Sequence, residues 1–344
     1  MPVPCEVIFN PNWWFRNYGI SFDESFYFDA EARTRNDRQM RRALWERFGI
    51  GDPDPQPRPI AGSEHVAGGF VMPAIYGCEV RFAPAEAPWP VARNLSADQV
   101  RELRPPDWKS SWPMNRLIAE MDGLEKEFGS ICGDFDLDGV LNTALQVRGQ
   151  DLYLDFFDAP GTARHLLELI TETQIELAAY VRARTGSCGL SCNRSIVNVD
   201  RTIFLHSNCS VQMVSPQLFE EFLLPCEQRL AAVLQPYGIH HCGNNLHLFA
   251  RAYNSLPLRF VDVGWGSDVA RCRVEMPEVF LNLRLSPVRM LRQSAAEIRE
   301  DALRLLAAAG SNAGLCCINM DWQTPDDNVR ALLDVACRWV SSDP

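Results

Sequence analysis

A histidine and a cysteine, His240 and Cys242, lie two residues apart in an apolar stretch of the chain. Side chains two positions apart on an extended segment point the same way, so these two can bind one ion together. A later apolar segment, GLCCINMD, carries the adjacent thiols Cys316 and Cys317. One histidine and two cysteines from two strand ends predict a three-ligand site for a soft divalent metal, with Zn²⁺ as the default. Three protein ligands leave a fourth position open, which is typical of a catalytic zinc.

The alternation of side chains along a strand distinguishes the two adjacent thiols. Cys317, Asn319 and Asp321 share one face, which is polar, whereas Cys316 lies on the other, apolar face. We expect the polar face to line the mouth of the site. Cys317 is therefore the predicted third ligand, with Cys316 as the alternative, and His241 is predicted to point away from the metal toward a helix or loop.

The composition is that of a globular chain with a large core. Its 344 residues are 47% apolar and 22% charged, which suits one large α/β domain or two ordinary ones. The net charge of −11 comes without a basic cluster, which argues against a nucleic-acid partner. The start MPVPC does not resemble a signal peptide, and no apolar stretch is long enough to span a membrane. Twelve irregularly spaced cysteines then predict reduced thiols in the cytoplasm.

Strand and helix patterns alternate through most of the chain. The predicted strands include residues 238–242, 260–263, 279–283 and 314–321, and the predicted helices include residues 159–184, 216–234, 294–309 and 325–340. This order favours a (β/α)₈ barrel of the TIM type at residues 61–344, with residues 1–60 as an N-terminal extension packed on it. The barrel is predicted to be a single structural domain.

Polar residues collect at the predicted strand ends, which form the catalytic rim of such a barrel. Asp262 and Asn282 follow the strand that carries His240, and either Asp262 or Asp268 is a candidate to give the metal an oxygen or to orient a ligand histidine. The remaining candidates for the substrate pocket come from other strand ends and are Asp134, Asn208, Asn319 and Asp321.

Three motifs, in order, resemble the uroporphyrinogen decarboxylase superfamily on its cobamide-dependent methyltransferase side. The segment VSPQLFEEFLLP, residues 214–225, is similar to a helix entry of that family. The segment HHCGN, residues 240–244, is similar to the H-x-C-G-n zinc motif of the methyltransferases. The segment QTPDDNV, residues 323–329, resembles a closing motif, and the resemblance covers the chain from about Cys78 onward.

The resemblance implies a zinc held by His240, Cys242 and one of Cys316 or Cys317. Here the thiols come slightly earlier than the cysteine of the methyltransferases, so Asp321 is a further candidate as an oxygen ligand. The arginine-rich N-terminal motif that binds porphyrinogen carboxylates in the decarboxylases has no counterpart in the segment FNPNWW.

The resemblance therefore implies a zinc-dependent methyltransferase that exchanges a methyl group with a corrinoid carried by a partner protein. The other reactant is a small methyl donor or a thiol or folate acceptor. Two alternatives stay open: a metal-free decarboxylase, and a non-catalytic partner of a corrinoid protein with a structural zinc. The sequence also leaves the oligomeric state open, a homodimer included.

Overall fold

A parallel sheet organises the part of the chain that the computed structural model describes, residues 2–62, 69–191 and 194–339. The strands are β1 (Cys5–Phe9), β2 (Ile60–Gly62), β3 (Glu79–Ala83), β4 (Glu86–Val91), β5 (Cys132–Asp134), β6 (Leu190–Ser191), β7 (Arg194–Ser195), β8 (Phe204–Ser207), β9 (Tyr237–His241), β10 (Leu258–Val263), β11 (Phe280–Arg284) and β12 (Ala313–Met320). The main sheet has the order β1-β12-β11-β10-β9-β8, and all of its neighbours are parallel.

Helices fill the connections between these strands. They are α1 (Pro11–Tyr18), α2 (Glu24–Phe28), α3 (Ala30–Phe48), α4 (Val71–Ile75), α5 (Ala97–Glu102), α6 (Met114–Phe128), α7 (Val140–Arg148), α8 (Leu152–Asp158), α9 (Pro160–Thr185), α10 (Pro216–Leu218), α11 (Leu224–Val233), α12 (Ala250–Tyr253), α13 (Val269–Glu275), α14 (Pro287–Arg292), α15 (Ala295–Ala309) and α16 (Asp326–Arg338). A π-helical turn, Phe219–Leu223, joins α10 to α11, and 3₁₀ turns cover Ser210–Met213 and Leu246–Leu248.

Local sequence accounts for the longest of these elements. Helix α9 begins at Pro160, whose fixed φ suits a first turn, and ends before Gly186, which takes the left-handed conformation at φ 71°. Helix α15 begins with a reciprocal capping box between Ser294 and Glu297. Strands β9 to β12 are buried along almost their whole length, as expected for parallel strands covered by helices.

The parallel α/β sheet predicted from the sequence is confirmed. The closed eight-stranded barrel remains a prediction, because the hydrogen-bonded strands of the described residues form the six-stranded sheet, a separate parallel pair β2–β5, and two antiparallel pairs, β3–β4 and β6–β7. The predicted N-terminal extension does more than pack on the sheet. Its first strand, β1, pairs with β12 and forms one edge of the main sheet.

An irregularity in the pairing of β1 with β12 changes the face on which the side chains at the end of β12 lie. Val7 pairs with Cys317, whereas Phe9 pairs with Met320, so β12 has one more residue in this interval than β1 does. The extra residue makes a β-bulge, and Asn319 within it adopts a left-handed backbone at φ 60°. Side-chain alternation is therefore broken between Cys317 and Met320.

Among the described residues, no helix combines the length and the apolar character needed to cross a membrane.

Candidate metal centre

The register of three adjacent strands aligns the polar residues of the site. Asp262 of β10 lies opposite His240 of β9 on one side and Asn282 of β11 on the other. All three side chains are buried. Side chains at matched positions of parallel neighbours point to the same face, so the three form one polar row across the sheet.

Hydrogen bonds fix the orientation of His240. Its Nδ1 lies 2.7 Å from Asp262 Oδ2, and Asn282 Nδ2 donates to Asp262 Oδ1 at 2.7 Å. Because an ionised carboxylate only accepts, Nδ1 carries the proton, and Nε2 presents its lone pair to Cys242, whose Sγ is 3.2 Å away. A carboxylate behind a ligand histidine is a common second partner in metal sites, so this arrangement prepares Nε2 to bind a metal.

Cys209 supplies the third donor of the cluster. It lies just after β8, and its Sγ is 3.2 Å from Cys242 Sγ. One donor atom from each of Cys209, His240 and Cys242 lies within 4.8 Å of the others. Both thiols are partly exposed, whereas His240 is buried. Cys209 and Cys242 are therefore the more exposed residues of the cluster.

The donor set fits a tetrahedral zinc in both chemistry and size. Zinc–sulfur bonds of about 2.3 Å and zinc–nitrogen bonds of about 2.0 Å place tetrahedral ligand atoms roughly 3.5–3.8 Å apart. The two observed separations of 3.2 Å are a few tenths shorter, a difference that small side-chain rotations remove. The cluster has two thiols and one imidazole, and a tetrahedral ion would have one position left. This matches a zinc site with three soft protein ligands and an open fourth position.

Protonation opposes metal binding in this cluster. The contact of Cys242 with Cys209, together with burial, raises the pKa of Cys242 to about 11. Burial disfavours the charged form of His240, but the charge of Cys242 and the hydrogen bond with Asp262 outweigh it and raise the pKa of this imidazole. A metal must therefore displace protons from its ligands, and its affinity should fall as the pH is lowered.

A buried arginine lies against the cluster. Arg284 Nη1 donates to Cys242 Sγ at 3.2 Å, and Arg284 lies opposite Cys316 in the sheet. Burial disfavours the charge of Arg284, but the nearby Cys242, Cys316 and Asp262 outweigh that effect and raise its pKa. The guanidinium therefore stays charged beside the thiol.

The structure places the two predicted thiols of β12 differently from the sequence prediction. Cys317 packs in the main apolar cluster with Leu315 and Met320, and burial raises its pKa to about 12. Cys316 lies on the opposite face, beside Arg284. The bulge at Asn319 explains why the prediction chose the wrong face. Side-chain alternation is broken there, so Asn319 and Asp321 do not indicate which way Cys317 points. Neither thiol of β12 belongs to the cluster of three donors.

Only two of the six predicted pocket residues, Asp262 and Asn282, are hydrogen-bonded into the row that holds His240. Asp134 is buried and accepts hydrogen bonds from Ser187 Oγ and the backbone N–H of Leu190, at 2.9 and 3.0 Å. Its burial raises the pKa of Asp134 to about 7, against these hydrogen bonds. This carboxyl group ties β5 to the segment around β6.

The predicted residues at the end of β12 join the N-terminal segment. Asp321 Oδ2 accepts a hydrogen bond from Asn12 Nδ2 at 2.8 Å, and the backbone carbonyl of Asn319 accepts one from Asn10 Nδ2 at 3.1 Å. Both acceptors are partly exposed. These contacts hold the bulge of β12 against the start of α1.

A buried polar network, which the sequence does not predict, adjoins the cluster of three donors. Glu227 of α11 accepts hydrogen bonds from His206 Nδ1, Asn208 Nδ2 and Tyr237 Oη at 2.9, 2.8 and 2.5 Å. Burial acts to raise the pKa of Glu227, but His206 and the other donors outweigh it and lower the pKa. Asn208, a predicted pocket residue, therefore points to this network, although it adjoins Cys209.

His241 connects the network to strand β9, which carries His240. Its Nδ1 lies 3.0 Å from Tyr253 Oη and its Nε2 lies 3.1 Å from Asn245 Oδ1, so it points away from the cluster, as predicted. Tyr253 also accepts from Asn208 Nδ2 at 3.2 Å. Burial lowers the pKa of His241 to about 4, which keeps the ring neutral.

Close backbone packing holds the loops of the site together. An ideal Cβ at Gly264, just after β10, would collide with the carbonyl oxygens of His241, Cys242 and Gly243. Only glycine allows this approach. The loop that follows Asp262 is thus fixed directly against the segment that carries Cys242.

One feature of the sequence points to Cys209. Asn208 was predicted to lie at a strand end that precedes the strand of His240, and Cys209 follows Asn208 directly. A thiol at the end of the neighbouring strand is as well placed as one on β12. Spacing along the chain did not reveal it, because the two strands are brought together by pairing of β8 with β9.

Solved structures with this fold include two enzymes. A methyltransferase from Methanosarcina mazei matches with a TM-score of 0.69 and 14% identity, over 97% of this chain and 93% of that chain. A B12-independent methionine synthase from Shewanella sp. W3-18-1, in complex with selenomethionine, matches with a TM-score of 0.50 and 10% identity, over 98% and 96%. At these identities the likeness establishes the fold.

No curated protein matches the chain in sequence. The sequence model for uroporphyrinogen decarboxylase (URO-D) matches residues 68–339, well over half of the chain. Its range includes every donor of the metal cluster and Arg284. The chain therefore belongs to the uroporphyrinogen decarboxylase (URO-D) family.

Proposed function

We propose that the chain is a zinc-dependent methyltransferase. It would move a methyl group between a corrinoid carried by a partner protein and a small reactant. That reactant is a methylated substrate or a thiol or folate acceptor. The observation that carries the proposal is the cluster of Cys209, His240 and Cys242, a soft donor set in which both cysteines are partly exposed.

Each residue of the cluster has a defined part in this function. Cys209 Sγ, Cys242 Sγ and His240 Nε2 would hold the zinc, and Asp262 keeps the proton on His240 Nδ1. Asn282 fixes the carboxylate of Asp262 through the second oxygen. When bound, zinc supplies Lewis acidity that stabilises the thiolate form of a substrate thiol at the remaining position.

Two further lines support a methyl-transfer reaction. The two similar structures are those of a methyltransferase and a methionine synthase, although their low identity alone establishes only the fold. The corrinoid partner rests on the resemblance of residues 240–244 to the H-x-C-G-n motif. Because one of the two structures is titled B12-independent, the methyl source has to be tested directly.

The test supplies the zinc-loaded protein with methylcobalamin and a small thiol, and follows demethylation of the cobalamin by visible absorbance. A parallel assay replaces methylcobalamin with methyltetrahydrofolate and detects the methyl thioether by mass spectrometry. His240→Ala is the test variant. Cys337→Ser is the matched control, because Cys337 is an exposed thiol on α16, away from the cluster.

We expect methyl transfer with the wild type and with Cys337→Ser, and its loss in His240→Ala or after removal of zinc by a chelator. Transfer from methyltetrahydrofolate alone would refute the corrinoid partner and keep the zinc site. Undiminished transfer after chelation would refute the zinc-dependent reaction. A chain without zinc that decarboxylates uroporphyrinogen III would support the metal-free alternative.

A further inference from the structure

One of the sulfur donors of the cluster receives a hydrogen bond from a buried cation. Arg284 is 4% exposed, and its Nη1 donates to Cys242 Sγ at 3.2 Å. A thiol sulfur is a weak acceptor, whereas a thiolate is a strong one. The contact is thus suited to the deprotonated form of Cys242 that a metal would bind.

The charges around the cluster are consistent with a cation at this position. A divalent metal and Arg284 together carry three positive charges, and the thiolates of Cys209 and Cys242 with the carboxylate of Asp262 carry three negative ones. A buried guanidinium is tolerated only when it is paired and hydrogen-bonded. In the metal-loaded cluster the guanidinium would be paired without a further counter-ion, and its Nη1 is hydrogen-bonded to Cys242 Sγ.

In a methyl-transfer site, a ligand thiolate is itself able to react with the methyl donor. Its sulfur would form a bond to the methyl carbon while the bond to the leaving group breaks and takes its electron pair with it. The product is a neutral thioether, which binds zinc more weakly than the thiolate. Each such event would damage the cluster, so the ligand sulfurs must be poorer acceptors than the substrate.

We propose that Arg284 protects Cys242 from methylation and so directs the methyl group to the substrate thiolate at the open position. A charge-assisted hydrogen bond draws electron density from the sulfur, and thiolate nucleophilicity falls as basicity falls. Arg284 is a positioning residue in this account, since it acts through Cys242. The inference rests on the zinc-dependent function proposed above.

The test exposes zinc-loaded protein to a small excess of iodomethane at one pH and locates the methylated cysteines by peptide mass spectrometry. Methylation forms the S–CH₃ bond and releases iodide, and a chromogenic chelator reports zinc that leaves the cluster. The main variant is Arg284→Met, which keeps an unbranched apolar stem and removes the charged guanidinium. Arg289→Met is the matched control, because Arg289 is an exposed arginine on α14 that pairs with Asp301.

We expect Arg284→Met to be methylated at Cys242 roughly three- to tenfold faster than the wild type, with matching zinc release. Arg289→Met should behave as the wild type. If Arg284→Met does not fold, Arg284→Gln keeps one neutral donor and should show a smaller increase of the same sign. Equal rates in zinc-loaded wild type and variant would overturn the inference and leave the zinc site standing. A wild type that holds no zinc would refute the proposed function itself, and this inference with it.

Discussion

Asp262→Asn tests whether the carboxylate behind His240 prepares the metal site. Asp262 accepts from His240 Nδ1 and from Asn282 Nδ2, both at 2.7 Å. An asparagine has a single acceptor oxygen. If that oxygen still accepts the hydrogen bond from Asn282, the side-chain NH₂ group of the new asparagine faces His240 Nδ1. Nδ1 must then be the acceptor, and the imidazole carries its proton on Nε2. That tautomer cannot bind zinc through Nε2.

The size of the effect follows from this tautomer argument. Loss of a hydrogen-bond partner behind a ligand histidine costs about 10- to 100-fold in metal affinity. This corresponds to about 1.4–2.7 kcal/mol of binding free energy. Because Asp262→Asn favours the wrong tautomer and also removes the bond, we expect the upper end of this range.

The assay is a competition titration of zinc between the protein and a chromogenic chelator, with folding checked by circular dichroism. Asp268→Asn is the control, since it makes the same change in the loop after the same strand, where Asp268 caps α13. We expect Asp268→Asn to bind zinc as the wild type does. A folded Asp262→Asn protein with wild-type zinc affinity would refute the reasoning.

Two further predictions concern buried carboxyl groups. Glu227→Gln weakens the three hydrogen bonds that Glu227 accepts, so chemical denaturation should show that the free energy of unfolding falls by about 2–4 kcal/mol. The control is Glu221→Gln, an exposed position where we expect little change. Equal stabilities of the two variants would contradict this prediction. The raised pKa of Asp134, about 7, means that the folded protein keeps a proton there that the unfolded chain loses near pH 4. The unfolding free energy of the wild type should therefore fall relative to Asp134→Asn as the pH rises from about 4 to about 7. A difference that is flat or rises over that interval would show that Asp134 is ionised in the fold.

Local patterns predicted the main elements of the sheet and its helices closely. The predicted helix at residues 159–184 is α9, Pro160–Thr185, and the predicted strand at residues 314–321 is β12, Ala313–Met320. These segments carry strong apolar periodicity and clear end signals, which act over a few neighbouring residues. The pairing of His240 with Cys242 also follows from local geometry, because the two are separated by one residue on an extended chain.

Long-range register explains what the sequence did not predict. Cys209 and Cys242 meet across 33 positions because β8 pairs with β9. The predicted orientation of Cys317 was taken from Asn319 and Asp321, and these lie within or beyond a bulge that forms where β12 pairs with β1. For the same reason the role of β1 as an edge strand was missed, since nothing near Cys5–Phe9 specifies its partner. Arg284 was not singled out, because an arginine ending an apolar strand has no local sign of a thiol neighbour.

The most direct test of the central claim is the zinc content of four purified proteins: wild type, Cys209→Ser, Cys242→Ser and Cys317→Ser. Each substitution removes one sulfur at nearly constant volume. The geometry predicts about one zinc per chain in the wild type and in Cys317→Ser, and a loss of zinc in the other two. Zinc retained in Cys209→Ser and lost in Cys317→Ser would contradict the account, because the third ligand would then come from β12.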